Sequence, residues 1–375
     1  MGKIFRLSCV LVLGSSLSAC SSDSNGGSSA TAGSGATGSG ATGSGANGSG
    51  GSASNNGGHA PSGGNSSSSG GSSSQGGSGA GVPGKPGEVG ACKMFPADDP
   101  WNLDISGVAP DATWTAKLQK LVGAAKIHPD YGVDGADLYG IPLNVVPQNQ
   151  KLTPVTFEWY PEESDPGPYP FPGPNEVIIE GNSPTSCDGD CHLLVIQQGT
   201  CMLFEGYACE YQQDGWHCGN GAKWDLKKLS FGQRPDGWTS ADAAGLPIAP
   251  GVLRYDEVRA GEVTHALRFT LNCTADKYVD PATHQAVPDG CTPANGLPMG
   301  ARVRLKADYD ISKLSESAQV VLRGMKKYGL ILADNGSNMY FQGQASPDWT
   351  EDDIEPLKTV PGSAFEVVQM PPLKP

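Results

Sequence analysis

The sequence predicts a mostly-β domain, a sandwich or jelly roll with two peripheral helices, behind a disordered Gly/Ser tether. Three observations predict it. Hydrophobic residues alternate with polar ones at a period of two in several short runs. Gly and Pro punctuate those runs, as in Asp165-Pro166-Gly167-Pro168-Tyr169-Pro170. Few helical patterns come between strands, which disfavours a doubly wound α/β sheet.

The N-terminus comes first. Lys3 and Arg6 precede a short apolar run, Val10-Leu11-Val12-Leu13, and small residues then lead to Cys20. The run is too short to cross a bilayer as a helix. Leu17-Ser18-Ala19-Cys20 resembles the lipobox of bacterial lipoproteins. That resemblance implies that residues 1–19 are a cleaved signal peptide and that Cys20 becomes the lipidated end. Ser21 and Ser22, where a retention signal would place Asp, point to the outer membrane or cell surface.

Residues 20–83 are almost entirely Gly, Ser, Ala, Thr and Asn, with the repeat Gly33-Ser34-Gly35-Ala36-Thr37 restarting at Gly38. Such a tract has nothing to bury and cannot offset the entropy of ordering. As a random coil, some sixty residues span roughly 40–45 Å.

Composition changes near Gly84, and residues 84–375 read as one globular domain. Within it, residues 111–125 and 315–328 show helical spacing, and Gly329 stops the second helix. Strands are expected at 155–160, 176–180, 192–197, 202–207, 263–271, 302–311, 330–333 and 338–341. Of ten cysteines, Cys9 and Cys20 precede the domain, leaving eight, an even number that reads as disulfides in an exported protein. Cys209 with Cys218 and Cys273 with Cys291 are sensible hairpin closures. Cys187 or Cys201 pairs with Cys191, and Cys92 ties down the N-terminal arm. Paired C-x2-C spacing is absent, so no thiolate metal site and no cofactor are expected.

The formal charge of −14, from 25 Lys+Arg against 39 Asp+Glu, excludes a nucleic-acid partner, since phosphate binding needs concentrated positive charge. No G-x-S-x-G elbow, H-E-x-x-H pair or P-loop occurs. What remains is a supply of carboxylates and aromatics, which points to a polysaccharide or glycan partner. Glycoside hydrolysis needs an acid and a second carboxylate flanking the bond. Glu205 is either the general acid, mid-strand with apolar neighbours, or an edge-strand glutamate. Asp236, Asp242, Asp256 and Glu257 are candidates for its partner. His265, on the face of Val263, Leu267 and Phe269, is either a core histidine or a general acid/base. Trp238, Tyr255, Arg268, His192 and Asp334 are expected around the substrate. Arg268 is expected to point outward into a surface ion pair, and Asp334-Asn335-Gly336 to form a turn. Trp216 and Trp224 are expected in or near loops. The leading expectation is a surface-tethered glycoside hydrolase. The alternatives are a polysaccharide lyase using His265, Tyr255 and Arg254 or Arg268, and a non-catalytic glycan- or protein-binding surface lipoprotein.

The phrases Phe95-Pro96-Ala97-Asp98-Asp99-Pro100-Trp101-Asn102, Asp236 to Asp242, His265 to Thr270 and Tyr328 to Asn338 resemble a family of secreted bacterial and fungal proteins. The resemblance spans most of 95–368. It implies one coherent domain and assigns no catalytic role.

Overall fold

The computed structural model describes residues 87–134 and 137–375. The export signal, Cys20, the Gly/Ser tract and Gly84 lie outside the described residues. What is described is mostly β, with four α-helices.

Ten strands build the two larger sheets: β1 (His128–Asp130), β2 (Leu143–Val146), β3 (Leu193–Gln197), β4 (Met202–Tyr207), β5 (Asn220–Asp225), β6 (Leu267–Leu271), β7 (Arg302–Leu305), β8 (Leu330–Asn335), β9 (Tyr340–Gln342) and β10 (Phe365–Val367). The four-stranded sheet has the order β5-β4-β3-β2, and the six-stranded sheet the order β10-β7-β8-β6-β9-β1. Both stay open. Pairing is mixed: β2 with β3, β6 with β8 and β9 with β1 are parallel, the other neighbours antiparallel.

One hydrophobic core joins the two sheets. Leu194, Ile196, Leu203, Ala222 and Trp224 come from one, and Leu267, Phe269, Val303, Leu330 and Phe365 from the other. The opposite face of the four-stranded sheet builds a second core from Leu193, Val195 and Phe204 with Tyr169, Phe171 and Trp216. The four-stranded sheet is thus covered on both sides, and helices pack on the six-stranded sheet at β7 and β10. That is why β3 is buried at every position rather than alternately, as is β6.

Helix α1 (Ala112–Val122) starts where Asp111 accepts from the amides of Thr113 and Trp114, and it buries Leu118 and Val122. It is tied to β10 by the Val367 amide donating to Thr115 Oγ1 at 2.9 Å. Helix α2 is Tyr255–Ala260 and α4 is Glu351–Ile354. Helix α3 (Glu316–Lys327) is capped by Ser315 and lies against β7. Gly329 then turns the chain at φ +71°, its α-carbon so close to the Val303 carbonyl that a β-carbon would stand 2.3 Å away.

Disulfides join Cys209 to Cys218 and Cys273 to Cys291, as the spacing predicts. Cys187 pairs with Cys191, and Cys92 with Cys201 just before β4, which ties the N-terminal arm to the sheet. Four disulfides fit an extracellular protein, and no helix among the described residues is long and apolar enough to cross a membrane.

Several expected boundaries move. Residues 176–180 form no strand, because the Ile178 amide donates to the Asn144 side chain and the Glu180 amide to the His192 carbonyl. Strand β6 starts only at Leu267, since Gly261 is spent closing α2 in the left-handed region. Strand β7 ends at Leu305, where its partner β10 begins at Phe365. Trp216 and Trp224 are buried strand residues rather than loop residues.

Phe269 is fully buried at the centre of the main core. Phe269→Ala is expected to destabilise the domain by about 3–5 kcal/mol in urea unfolding. Leu152→Ala, at a side chain 51% exposed, stays within about 0.5 kcal/mol.

Candidate functional site

The space between the two sheets holds charge as well as hydrocarbon. Glu205 lies opposite Leu194 and Ala222 on the core-facing side of β4, an interior strand, and is fully buried. Its carboxyl accepts from Trp224 Nε1 at 3.0 Å, the Ile248 amide at 2.9 Å and the Ala249 amide at 2.9 Å. Those amides open the 3-10 turn Ala249–Gly251. Burial pushes the Glu205 carboxyl up to about 7 against the pull of these donors. Glu205 therefore pins a connecting segment between the sheets and has no open face toward a substrate.

The same segment is held at its other end by Arg268. The guanidinium on β6 is 2% exposed and donates from Nη2 to Asp242 Oδ1 at 2.8 Å and from Nε to Asp242 Oδ2 at 3.3 Å. A third bond from Nη2 reaches Asp334 Oδ2 at 3.3 Å. The expected surface ion pair of Arg268 is thus a buried one, because both faces of β6 are covered. Gly251 passes directly over it: a β-carbon there would come within 2.9 Å of Arg268 Cβ and 2.6 Å of the Trp101 ring.

Asp334 lies on β8 rather than in a turn, with its side chain 24% exposed. Burial and the neighbouring charge of Asp242 raise its pKa to about 7, although Arg268 works the other way. His192 comes just before β3. Its Nδ1 lies 2.6 Å from Glu180 Oε2 and its Nε2 3.2 Å from the Ala241 carbonyl. Burial opposes a charged imidazole here, yet Glu180 holds the His192 pKa up at about 9. Glu180, 28% exposed at its side chain, is moved the other way: burial is outweighed by His192, and its carboxyl stays below the ordinary carboxylate range. Two partly exposed carboxyls, Asp334 and Glu180, thus flank a buried pair of cations. One is pushed toward the acid form and the other toward the ionised form.

Aromatic rings border this pair. The Tyr207 ring is 5.6 Å from that of His192 and 5.5 Å, edge-on, from that of Trp159. Trp159 is 57% exposed and Tyr160 46%. The indole lies over Gly219, where a β-carbon would approach Trp159 Cε3 to 2.6 Å. The amides of Trp159 and Tyr160 both donate to the Gly219 carbonyl. Burial and the charges of Asp190, Asp334 and Glu180 raise the Tyr207 hydroxyl to about 12.

The structure thus groups Glu205, Asp242, Arg268, His192 and Asp334 from the sequence-derived set. His265 is elsewhere, in a second buried cluster, with Nε2 3.0 Å from Glu257 Oε2 and Nδ1 2.8 Å from the Ala266 carbonyl. Arg254 completes that cluster by donating to Glu257. Burial there is outweighed by Arg254 and His265, so Glu257 falls to about 2. Asp256 is half-buried in the first turn of α2 and accepts from the Glu257 amide. Asp236 is exposed and pairs with Lys374 at 3.2 Å. Tyr255 packs edge-on against Trp349, and Trp238 stands half-buried beside Arg234.

Sequence reasoning missed Glu180, Trp159, Tyr160 and Tyr207. The signal for the first was the Cys187–Cys191 staple, which sets His192 immediately after it. For Trp159 and Tyr160 it was Pro161, which ends the extended run before the rings can be covered.

A surface hollow of about 510 Å³ lies away from this group, lined by Tyr139, Trp349, Glu351 and Lys358. Among the described residues, no three His, Cys, Asp or Glu side chains converge on a metal position. No family model matches the chain, and neither curated proteins nor solved structures give a match.

The perturbed groups set the sign of the pH dependence. His192, raised from 6.5 to about 9, stabilises fully below 6.5 and loses that contribution as pH climbs through about 9. Asp334 binds its proton in the fold up to about 7 but in the unfolded chain only to 3.8, so stability falls across that interval. Glu257, lowered from 4.5 to about 2, loses its contribution on the acid side. Urea midpoints should therefore be highest near about pH 5 and decline toward about pH 9. A midpoint that rises over that range contradicts the assignment. Glu205→Gln should destabilise by about 1–3 kcal/mol, because the amide nitrogen would oppose a donor such as Trp224 Nε1.

Proposed function

We propose that the chain is a surface-tethered glycoside hydrolase in which Asp334 is the general acid and Glu180 the ionised carboxylate opposite it. One observation carries the reading: two partly exposed carboxyls, held by Arg268 and His192, are driven to opposite protonation states beside exposed Trp159 and Tyr160. Hydrolysis of a glycosidic bond needs one carboxyl to protonate the leaving oxygen and a second to act as base or nucleophile. Sugar rings present C–H faces that stack on aromatic faces, which suits the Trp159 and Tyr160 surfaces. The reading differs from the sequence-based one in its residues: Asp334 and Glu180 take the roles first assigned to Glu205 and its partners.

Cys20 completes this reading. Lipidation there, in the cell envelope at the outer membrane or surface, would place the domain beside polymeric glycans at the end of its tether. The resemblance to secreted bacterial and fungal proteins belongs to the same proposal. A lyase is less well supported. Arg268 is engaged by Asp242 and Asp334 and faces no solvent, so it offers nothing to neutralise a uronate carboxylate. A non-catalytic glycan-binding role is favoured by one observation, the open placement of Trp159 on the surface.

Asp334→Asn and Glu180→Gln should each lower release of reducing ends from a cleaved glycan by about 10²–10⁴-fold, with circular dichroism unchanged. Activity should fall as pH rises through about 7, where Asp334 loses its proton. It should fall again on the acid side, as Glu180 is protonated below the ordinary 4.5. Retained turnover in the Asp334→Asn variant would sink the assignment.

A further inference from the structure

The charges around the aromatic surface say which sugars it takes. We infer that the site binds a polymer of amino sugars with free ammonium groups, one such ring seated on Trp159 with its nitrogen toward Asp190 and Glu180. The location and the sugar chemistry rest on the hydrolase reading. The charge preference comes from the surface itself.

Two aromatic rings meet there, Trp159 and Tyr207, and a third, Tyr160, follows Trp159 in the chain. Trp159 stands outward on the Gly219 backbone, Tyr160 follows it into solvent, and Tyr207 closes one edge. An ammonium over such rings is attracted by the negative face of the π system, most strongly by tryptophan. The exposed charges beside them are carboxylates, and the partly exposed His217 imidazole is held between two of them, Glu158 and Asp214. Asp190 is exposed in the irregular segment that leads through His192 into β3, and Glu180 and Asp334 are partly exposed. All three act on the Tyr207 hydroxyl, which has no hydrogen-bond partner among the described residues. Glu158, adjoining Trp159, is 51% exposed at its side chain, with His217 bound to it at 2.9 Å.

The strongest cations of the cluster are behind this surface. His192 and Arg268 are 3% and 2% exposed and are occupied by Glu180 and by Asp242 with Asp334. Lys223 is turned away, its ammonium donating to the Pro166 carbonyl at 2.6 Å and lying over Tyr169. A ligand on Trp159 therefore meets carboxylates and π faces. A polyuronate is repelled, an N-acetylated polymer gains only stacking, and a protonated amino sugar gains stacking, cation–π attraction and ion pairing.

The test uses the full chain over sensor surfaces carrying glucosamine oligosaccharides, N-acetylglucosamine oligosaccharides of equal length, and oligogalacturonates. The glucosamine surface should bind at least about tenfold tighter than the other two. Trp159→Ala and Asp190→Asn should each weaken that binding about tenfold, while Glu351→Gln, which removes an equally exposed charge on α4, changes it less than about twofold. Both test side chains are exposed, so folding is not at stake, and thermal midpoints confirm it. Equal binding of the acetylated oligosaccharides, or wild-type binding by Trp159→Ala, overturns the inference whatever the turnover. Selective binding without release of reducing ends leaves it standing and removes the hydrolase reading instead.

Discussion

The burial of Arg268 between two sheets is the constraint on which the rest depends. A guanidinium with 2% exposure is tolerable only with its donors engaged and its charge balanced. Asp242 supplies the two-point contact and Asp334 the second carboxyl. Asp242 belongs to the connecting segment that runs between the sheets, so the ion pair also positions that segment. Glu205 grips the same segment further along through the amides of Ile248 and Ala249. Gly251 allows the close approach that lets both contacts form.

The chemistry at the surface follows from that buried arrangement. Two carboxylates share one guanidinium, so Arg268 offsets neither in full. Burial first, and the Asp242 charge second, therefore raise Asp334 toward neutrality while its side chain remains partly accessible. Glu180 experiences the opposite environment, since it has His192 to itself on its side. A difference in protonation between two nearby carboxyls thus results from how the cations are distributed behind them. Tyr207 carries the connection outward, touching His192 on one side and Trp159 on the other.

Much of the framework was legible in the sequence because local chemistry writes it. Asp111 and Ser315 cap helices where their side chains can reach free amides, and short spacing made Cys209 with Cys218 a natural pair. The mostly-β class followed from period-two runs. Arg268 was less legible. Alternation with Glu262 and Thr264 implies a wet face, whereas a second covering layer, made by residues 239–251, exists only in three dimensions. Glu205 was noticed for its apolar neighbours, and burial does raise its pKa, but only the fold shows amides filling its acceptors. Glu180 was hidden inside an apolar stretch that resembled a strand. The separation of His265 and Glu257 from the Arg268 cluster is likewise tertiary: α2 folds back over them, and adjacency in sequence carries no trace of it.

The central claim is that Asp334, beside Arg268 and Asp242, still carries its proton about half the time at neutral pH. A carbon-13 NMR titration of its side-chain carboxyl, assigned by comparison with Asp334→Asn, measures this directly. The account predicts a midpoint at about 7. A midpoint at or below the ordinary aspartate value of about 3.9 would mean that Arg268 dominates over burial and Asp242, and would contradict the account.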